Sequence, residues 1–157
     1  MTNDNTQFFA LKLKTGESLF TELVGVSDSS VIIRKPMIIS EQPTNEGLSL
    51  SLQQWLPYVE SDSEISIPSD VVYLVEPLSK KHIKFYGAVL LQTEIQRIKD
   101  DSFENFSGDD KIDYYEMMLA VQKIDALSEF MSNKFGIDRV DTSSFIEKSE
   151  KHKPMLH

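Results

Sequence analysis

Residues 9–33 read FALKLKTGESLFTELVGVSDSSVII, and apolar side chains alternate with polar ones along much of this segment. The alternation is clearest from Phe9 to Leu13, and it is typical of a strand with one buried face. Gly16 predicts a turn after this first strand, and the polar cluster at residues 27–30 predicts another. The segment therefore indicates consecutive short strands joined by tight turns.

Further strands are predicted downstream of this segment. Residues 31–39 are rich in β-branched side chains, and Pro36 among them favours an edge position or a bulge. Residues 40–47 have the composition of a loop. Alternating leucines over residues 48–56 predict the next strand.

A second reversal follows near residue 68. Residues 65–67 and 71–75 are apolar enough for strands, and residues 68–70 between them read as a tight turn. Short strands at this spacing are typical of a small barrel or sandwich. We predict a mainly β fold with C-terminal helices, in which residues 7–77 form a small five-stranded barrel.

After Pro77 the apolar residues recur at the spacing of an α-helix. Ser79 is a candidate N-cap for a helix that continues to about Lys99, although Gly87 is unfavourable inside a helix. A second helix is predicted over residues 110–133. Gly136 suits the position that follows its end.

The second helix is apolar on more than one side, which indicates two neighbours. One neighbour could be the chain's own barrel and the other a second subunit, so the pattern predicts an oligomer. One stripe contains Ile112, Tyr115, Leu119, Ala126 and Phe130, whereas Tyr114, Met117, Met118 and Val121 fall largely elsewhere.

The length of 157 residues fits one domain. We predict a single domain over residues 1–157, in which residues 78–136 form a helical extension of the barrel. Residues 137–157 read as a polar, loosely held tail.

The formal net charge is −9, which opposes broad, non-specific nucleic-acid binding. The charge is unevenly distributed, because no Lys or Arg occurs from Pro36 to Ser79. This acidic stretch could form a surface for a protein partner. Basic residues occur instead at residues 12–14, 34–35 and 80–84.

The chain contains no cysteine, so a disulfide scaffold or a thiolate metal site is excluded. The polar residues 1–7 do not resemble a signal peptide, and the apolar runs are too short to span a bilayer. We therefore expect a cytoplasmic protein with no membrane partner.

The segment from Leu11 to Ile33 resembles the first motif of the Sm-like family, which includes the LSm proteins and bacterial host factor Q. It combines an apolar strand, a turn at Gly16, a second strand that ends near Gly25 and an acidic turn at Asp28. A third apolar strand completes the motif.

Residues 65–75, ISIPSDVVYLV, look like the second Sm motif, which is a strand, a one-turn reversal and a last strand. In this family the last strand pairs with the next subunit and closes a ring. The resemblance therefore implies a homo-oligomeric ring with an interface at Val71, Val72, Tyr73, Leu74 and Val75. With its helices after the barrel, the chain is most similar to phage-encoded Sm-like proteins of cyanophage type, which implies the host cytoplasm.

The resemblance also implies binding of single-stranded RNA at two loops. The matching positions are Asp28, Ser29, Ser30, Ser69 and Asp70. These turns carry neither the cation nor the aromatic side chain that the family uses, and the insert at residues 40–64 is longer than expected. Ordinary turn residues are the alternative interpretation.

A basic rim is the second candidate for RNA contact. Lys80, Lys81 and Lys84 would form it when they are repeated around a ring. The alternative is the solvated start of a helix.

Trp55 is the sole tryptophan, and it is either a core or interface residue or an exposed docking residue. The sequence contains no His-Glu-x-x-His motif, no Gly-rich phosphate loop and no nucleophile elbow, so catalysis has little support. The acidic run at residues 100–113 departs from the EF-hand pattern, because Asn105 stands where glycine is required. We predict no enzyme, no cofactor and no metal site.

The leading functional hypothesis is therefore a non-enzymatic Sm-like ring subunit that binds single-stranded RNA. The alternative is a structural or protein-interaction ring, with a phage-type assembly or scaffold role, that binds no nucleic acid. The acidic balance and the missing loop cation favour this alternative, whereas the family resemblance favours RNA.

Overall fold

The computed structural model describes residues 7–60, 62–103 and 110–140. It divides into two compact units, Met1–Ile83 and Lys84–His157. The first unit is mainly antiparallel β sheet, and the second is helical. No helix among the described residues combines the length and the apolar character needed to cross a bilayer.

The described residues of the first unit form six strands, so the predicted count of five is wrong. Neighbouring strands follow the order β4-β3-β2-β1-β6, and β5 pairs with β3. All of these pairs are antiparallel, and within the described residues they form an open path rather than a closed one. The strands are β1 (Gln7–Leu13), β2 (Ser18–Val26), β3 (Ser30–Thr44), β4 (Gly47–Gln54), β5 (Glu64–Pro68) and β6 (Val72–Pro77).

Strand β3 is long and is divided by a bulge. On β2, Phe20 lies opposite Met37 and Glu22 lies opposite Arg34, so β3 contains one extra residue between these pairs. Lys35 has a φ of 52° there, next to Pro36. The bulge that Pro36 predicts is therefore present, and it separates the part of β3 that pairs with β5 from the part that pairs with β4.

Residues 40–47 are not the loop that their composition predicts. Residues 40–44 continue β3, and Thr44 pairs with Gly47 across a tight hairpin turn. Gly47 has a φ of 120°, and the Thr44 hydroxyl donates a hydrogen bond to its carbonyl oxygen over 2.8 Å. We call residues 39–52 the β3–β4 arm. Its polar composition reflects exposure to solvent, not an irregular backbone.

The core of the first unit comes from the alternating apolar positions of the early strands. Trp55 packs against this core, and its indole N–H donates to the Glu17 carboxylate over 2.8 Å. Of the two interpretations of Trp55, this partly buried packing supports a core or interface residue over an exposed docking residue. The buried cluster consists of Leu11, Leu13, Leu19, Val31, Ile33 and Ile67.

Two long helices follow, α1 (Lys80–Phe103) and α2 (Asp110–Phe135). The Ser79 hydroxyl accepts a hydrogen bond from the backbone N–H of His82 over 3.3 Å, as an N-cap residue should. At the end of α2, Gly136 has a φ of 69° and its N–H donates to the Ser132 carbonyl. Both predicted helices are confirmed, and the first continues beyond Lys99.

Helix α2 buries one of its two apolar stripes. The stripe that contains Tyr115, Leu119 and Phe130 is exposed, and Phe130 has 58% of its surface accessible. Ile112 lies where side chains are not described. The buried face consists of Met117, Ala120, Val121, Ile124, Ser128, Met131 and Phe135.

Residues 137–140, the first part of the predicted tail, contact α2. The backbone N–H of Val140 donates to the buried Ser128 hydroxyl over 2.6 Å, and Arg139 forms an ion pair with Asp125 at 3.2 Å. The rest of the predicted tail, residues 141–157, lies outside the described residues.

Candidate functional site

The two turns that the sequence predicts as contact loops lie side by side. Antiparallel pairing of β3 with β5 places Ser30 opposite Pro68, at the end of both strands. The backbone N–H of Ser69 then donates to the carbonyl oxygen of Ser29 over 3.0 Å. We call residues 27–30 and 68–71 the paired turns. They bring together the predicted residues Asp28, Ser29, Ser30, Ser69 and Asp70.

The turn between β2 and β3 is held by its own serines. The hydroxyl of Ser27 accepts a hydrogen bond from the Ser30 N–H over 3.1 Å, and the Ser27 N–H donates to the Ser30 carbonyl over 2.8 Å. The two hydroxyls are also 3.1 Å apart. Ser30 therefore shapes the turn, whereas Asp28 and Ser29 are exposed at its tip.

The turn between β5 and β6 is a single 3-10 turn, Ser69–Val71. Val71 belongs to this turn, so its assignment to the last strand is wrong. The hydroxyl of Ser69 is buried and has no hydrogen-bond partner among the described residues. Asp70 is exposed.

The paired turns contain no cation of their own, but Lys14 is their neighbour. Its backbone N–H donates to the carbonyl oxygen of Val71 over 2.8 Å. Lys14 is not among the residues predicted for the site, because only the register of β1 with β6 relates it to a turn so distant in the chain. The paired turns therefore present Asp28 and Asp70 with one exposed lysine beside them.

The predicted basic rim is not part of the paired turns. Lys80 and Lys81 are exposed after the far end of β6, and this strand of six residues covers roughly 20 Å at about 3.3 Å per residue. No ion pair is found for either lysine within the part of the chain that the structure describes.

Lys84 belongs to the second unit. It lines an open depression of about 450 Å³, with Phe85, Ala88 and Leu91 of α1 and with Asp138. The mixed apolar and charged lining has no counterpart in the sequence predictions.

Strand β6, the predicted oligomer interface, is an edge of the sheet. Tyr73, Leu74 and Val75 have 69%, 45% and 39% of their surface exposed, whereas Val72 packs partly against the core. One side of β6 pairs with β1, and no described strand pairs with its other side. Strand β5 likewise pairs with β3 alone.

No group of three or more His, Asp or Glu side chains is placed to hold a metal ion in residues 7–60, 62–103 and 110–140. His82 packs its ring edge-on to Phe20 at 5.7 Å, and its Nδ1 lies 2.8 Å from the Ser79 hydroxyl. These contacts give His82 a role in packing and capping.

The Sm-like resemblance rests on the two sequence motifs, and it stays a prediction. Comparison of the chain with models of known protein families and with curated proteins finds no match in either.

Proposed function

We propose that the chain is a non-enzymatic subunit of a homo-oligomeric ring of Sm type, in which β6 of one copy pairs with β5 of the next. The observation that carries the proposal is that, among the described residues, β5 and β6 each pair on one side only, as β4 does. The free edge at β6 carries the exposed Tyr73, Leu74 and Val75. Exposed apolar edges are templates for pairing with another chain, so proteins rarely leave them open.

The strand order supports this proposal. A β5–turn–β6 reversal is what the Sm-like resemblance implies, and β6 pairs with β1 on one side only among the described strands. An edge contact between β5 and β6 is heterologous, because different surfaces of the two copies meet. Such contacts produce a ring when the rotation between neighbours closes.

The charge supports an assembly or protein-interaction role for the ring. The net charge of −9 is multiplied in an oligomer, and the paired turns expose Asp28 and Asp70. A surface of this kind repels phosphate backbones and suits a protein partner with basic side chains.

A pair of matched substitutions tests the proposed interface. Lysine on an edge strand opposes strand pairing, so Tyr73→Lys should lower the mass in solution towards the 17.9 kDa of one chain. Tyr58→Lys is the control, because Tyr58 is 83% exposed but lies between β4 and β5. An unchanged mass for Tyr73→Lys, or equal losses for both variants, contradicts the proposal.

Binding of single-stranded RNA is the second candidate function. The close approach of the paired turns favours it, since the resemblance implies RNA contact by these two loops together. Fluorescence anisotropy with U-rich and A-rich RNA at low and near-physiological salt tests it. Micromolar binding that persists at the higher salt supports RNA binding. If the chain binds RNA neither at low salt nor at near-physiological salt, RNA binding is excluded.

The lysines can be tested in the same assay. Lys80→Glu with Lys81→Glu should abolish binding if a basic rim carries it. Unchanged affinity excludes Lys80 and Lys81 as RNA contacts.

A further inference from the structure

The β3–β4 arm extends beyond the rest of the sheet. Pairing of β3 with β2 ends at Ile38, and from Ile39 onward β3 pairs with β4 alone. Residues 40–49 are exposed throughout. A two-stranded hairpin without further support is marginally stable in water, so the arm gains from a partner.

One face of the arm is apolar except for Glu41. Residues opposite each other in an antiparallel pair share a face, and the pairs on this face are Pro43 with Leu48, Glu41 with Leu50, and Ile39 with Leu52. Leu48 has 72% of its surface exposed near the tip, whereas Leu52 at the base is buried. The other face is polar and contains Ser40, Gln42, Thr44, Ser49 and Ser51.

The negative charge of the arm indicates which kind of surface it can bind. Glu41 and Glu46 are exposed, and no Lys or Arg occurs between Pro36 and Ser79. Two arms packed against each other would bring these carboxylates together without a counter-charge, which is unfavourable. The arm therefore suits a surface with exposed cations.

In the proposed ring, the strand topology would bring cations of the neighbouring copy towards the arm. Residues 31–34 of β3 pair with both β2 and β5, and Met37 and Ile38 pair with both β2 and β4. Strands β5 and β4 therefore lie one after the other along the same side of β3. In antiparallel pairing with β5, β6 of the next copy runs in the direction of β3, towards the arm.

The lengths are compatible. In the register that sets Val75 of the next copy level with Arg34, Glu41 lies at most roughly 23 Å beyond Arg34, at about 3.3 Å per residue. Lys80 then lies at most roughly 16 Å beyond Val75, at about 3.3 Å per residue. The long side chains of lysine and glutamate can cover the difference.

We propose that the β3–β4 arm of one copy docks on the start of α1 of the next copy, with Glu41 and Glu46 facing Lys80 and Lys81. The inference rests on the β5–β6 ring proposed above and adds a second, charge-selective contact to it. The occupant of the arm is thus another copy of this chain.

A charge swap within one chain tests the contact. Glu41→Lys with Glu46→Lys, and separately Lys80→Glu with Lys81→Glu, should each raise the concentration at which the assembly dissociates by about tenfold in light scattering on dilution. A chain with all four substitutions should regain the wild-type value. Asp101→Lys with Glu129→Lys controls for net charge, since both residues are exposed outside the arm.

The outcomes separate this inference from the proposed ring. Circular dichroism checks that each variant is folded. A monomeric wild type overturns both proposals. An oligomeric wild type with unaffected variants, or a four-substitution chain as weak as the two separate variants, overturns the arm contact and leaves the ring in place.

Discussion

The backbone N–H of Ser69 donates a hydrogen bond to the carbonyl oxygen of Ser29 over 3.0 Å. This bond continues the pairing of β3 with β5 by one step beyond the Ser30–Pro68 pair. It joins two turns that are far apart in the chain into one surface. The backbone therefore joins the paired turns to each other, whereas the Ser27 hydroxyl helps to shape the first of them.

Removal of the Ser69 hydroxyl should not destabilise the protein. This hydroxyl is buried without a partner among the described residues, and a buried unpaired polar group opposes folding. We expect Ser69→Ala to leave the free energy of unfolding in urea unchanged or to raise it by up to about 1 kcal/mol. A loss above about 1 kcal/mol contradicts the expectation.

Gly87 should tolerate no side chain, because Phe135 occupies the adjacent space. A Cβ atom at Gly87 would overlap the Phe135 ring, which packs edge-on to Tyr86 at 6.0 Å. We expect Gly87→Ala to lower the free energy of unfolding by about 1–3 kcal/mol. Gly25→Ala is the control, since nothing lies within 4 Å of a Cβ there, and it should change stability by less than about 0.5 kcal/mol. Equal stabilities for the two variants contradict the packing of Phe135 on Gly87.

Gly87 and the β3–β4 arm are the two parts of the fold that local sequence signals do not predict. The early strands and both helices are predicted because alternation, turn residues and the Ser79 cap are local signals. The glycine in α1 counts against a helix by propensity, and its reason lies in a contact with the distant Phe135. The outer part of β3 is not predicted, because residues 40–44 are exposed and contain a single apolar residue, Pro43, so no alternation marks them.

The Ser79 cap should contribute measurably to the stability of α1. Its hydroxyl accepts a hydrogen bond from the His82 N–H, one of the donors that a helix start leaves unpaired. We expect Ser79→Ala to lower the free energy of unfolding by about 1 kcal/mol. Ser79→Asp should retain most of the stability that the cap contributes, because aspartate also caps helices well. If Ser79→Ala and the wild type unfold at the same urea concentration, the Ser79 hydroxyl does not stabilise α1.

The bond between Trp55 and Glu17 should be visible in fluorescence, because Trp55 is the sole tryptophan. The carboxylate of Glu17 also accepts a hydrogen bond from the Thr15 hydroxyl over 3.1 Å. We expect Glu17→Leu to shift the emission and to cost about 1–2 kcal/mol, whereas Glu17→Gln keeps an acceptor and should cost less. If Glu17→Leu changes neither the emission of Trp55 nor the stability, the hydrogen bond between Trp55 and Glu17 is contradicted.

The sequence predicts the residues of the paired turns, but not the contact between the two turns. Turn chemistry identified residues 27–30 and 68–70, but their contact depends on the register of β3 with β5. Lys14 was missed for the same reason, since it reaches the site through a backbone bond to Val71. The basic rim at Lys80 and Lys81 is a separate prediction that depends on repetition around a ring, and β6 separates these lysines from the turns within one chain.

Pairing of β5 with β6 between copies is tested most directly by cross-linking, because the natural chain has no cysteine. Ser66 on β5 and Tyr73 on β6 are both exposed, so Ser66→Cys and Tyr73→Cys can be prepared as separate proteins, mixed and treated with a short bismaleimide. Val26→Cys, exposed at the end of β2, replaces Ser66→Cys in the control mixture. We expect a cross-linked dimer from the β5 and β6 variants and little from the control mixture. Equal yields from the two mixtures, or no dimer in either, contradict the proposed ring.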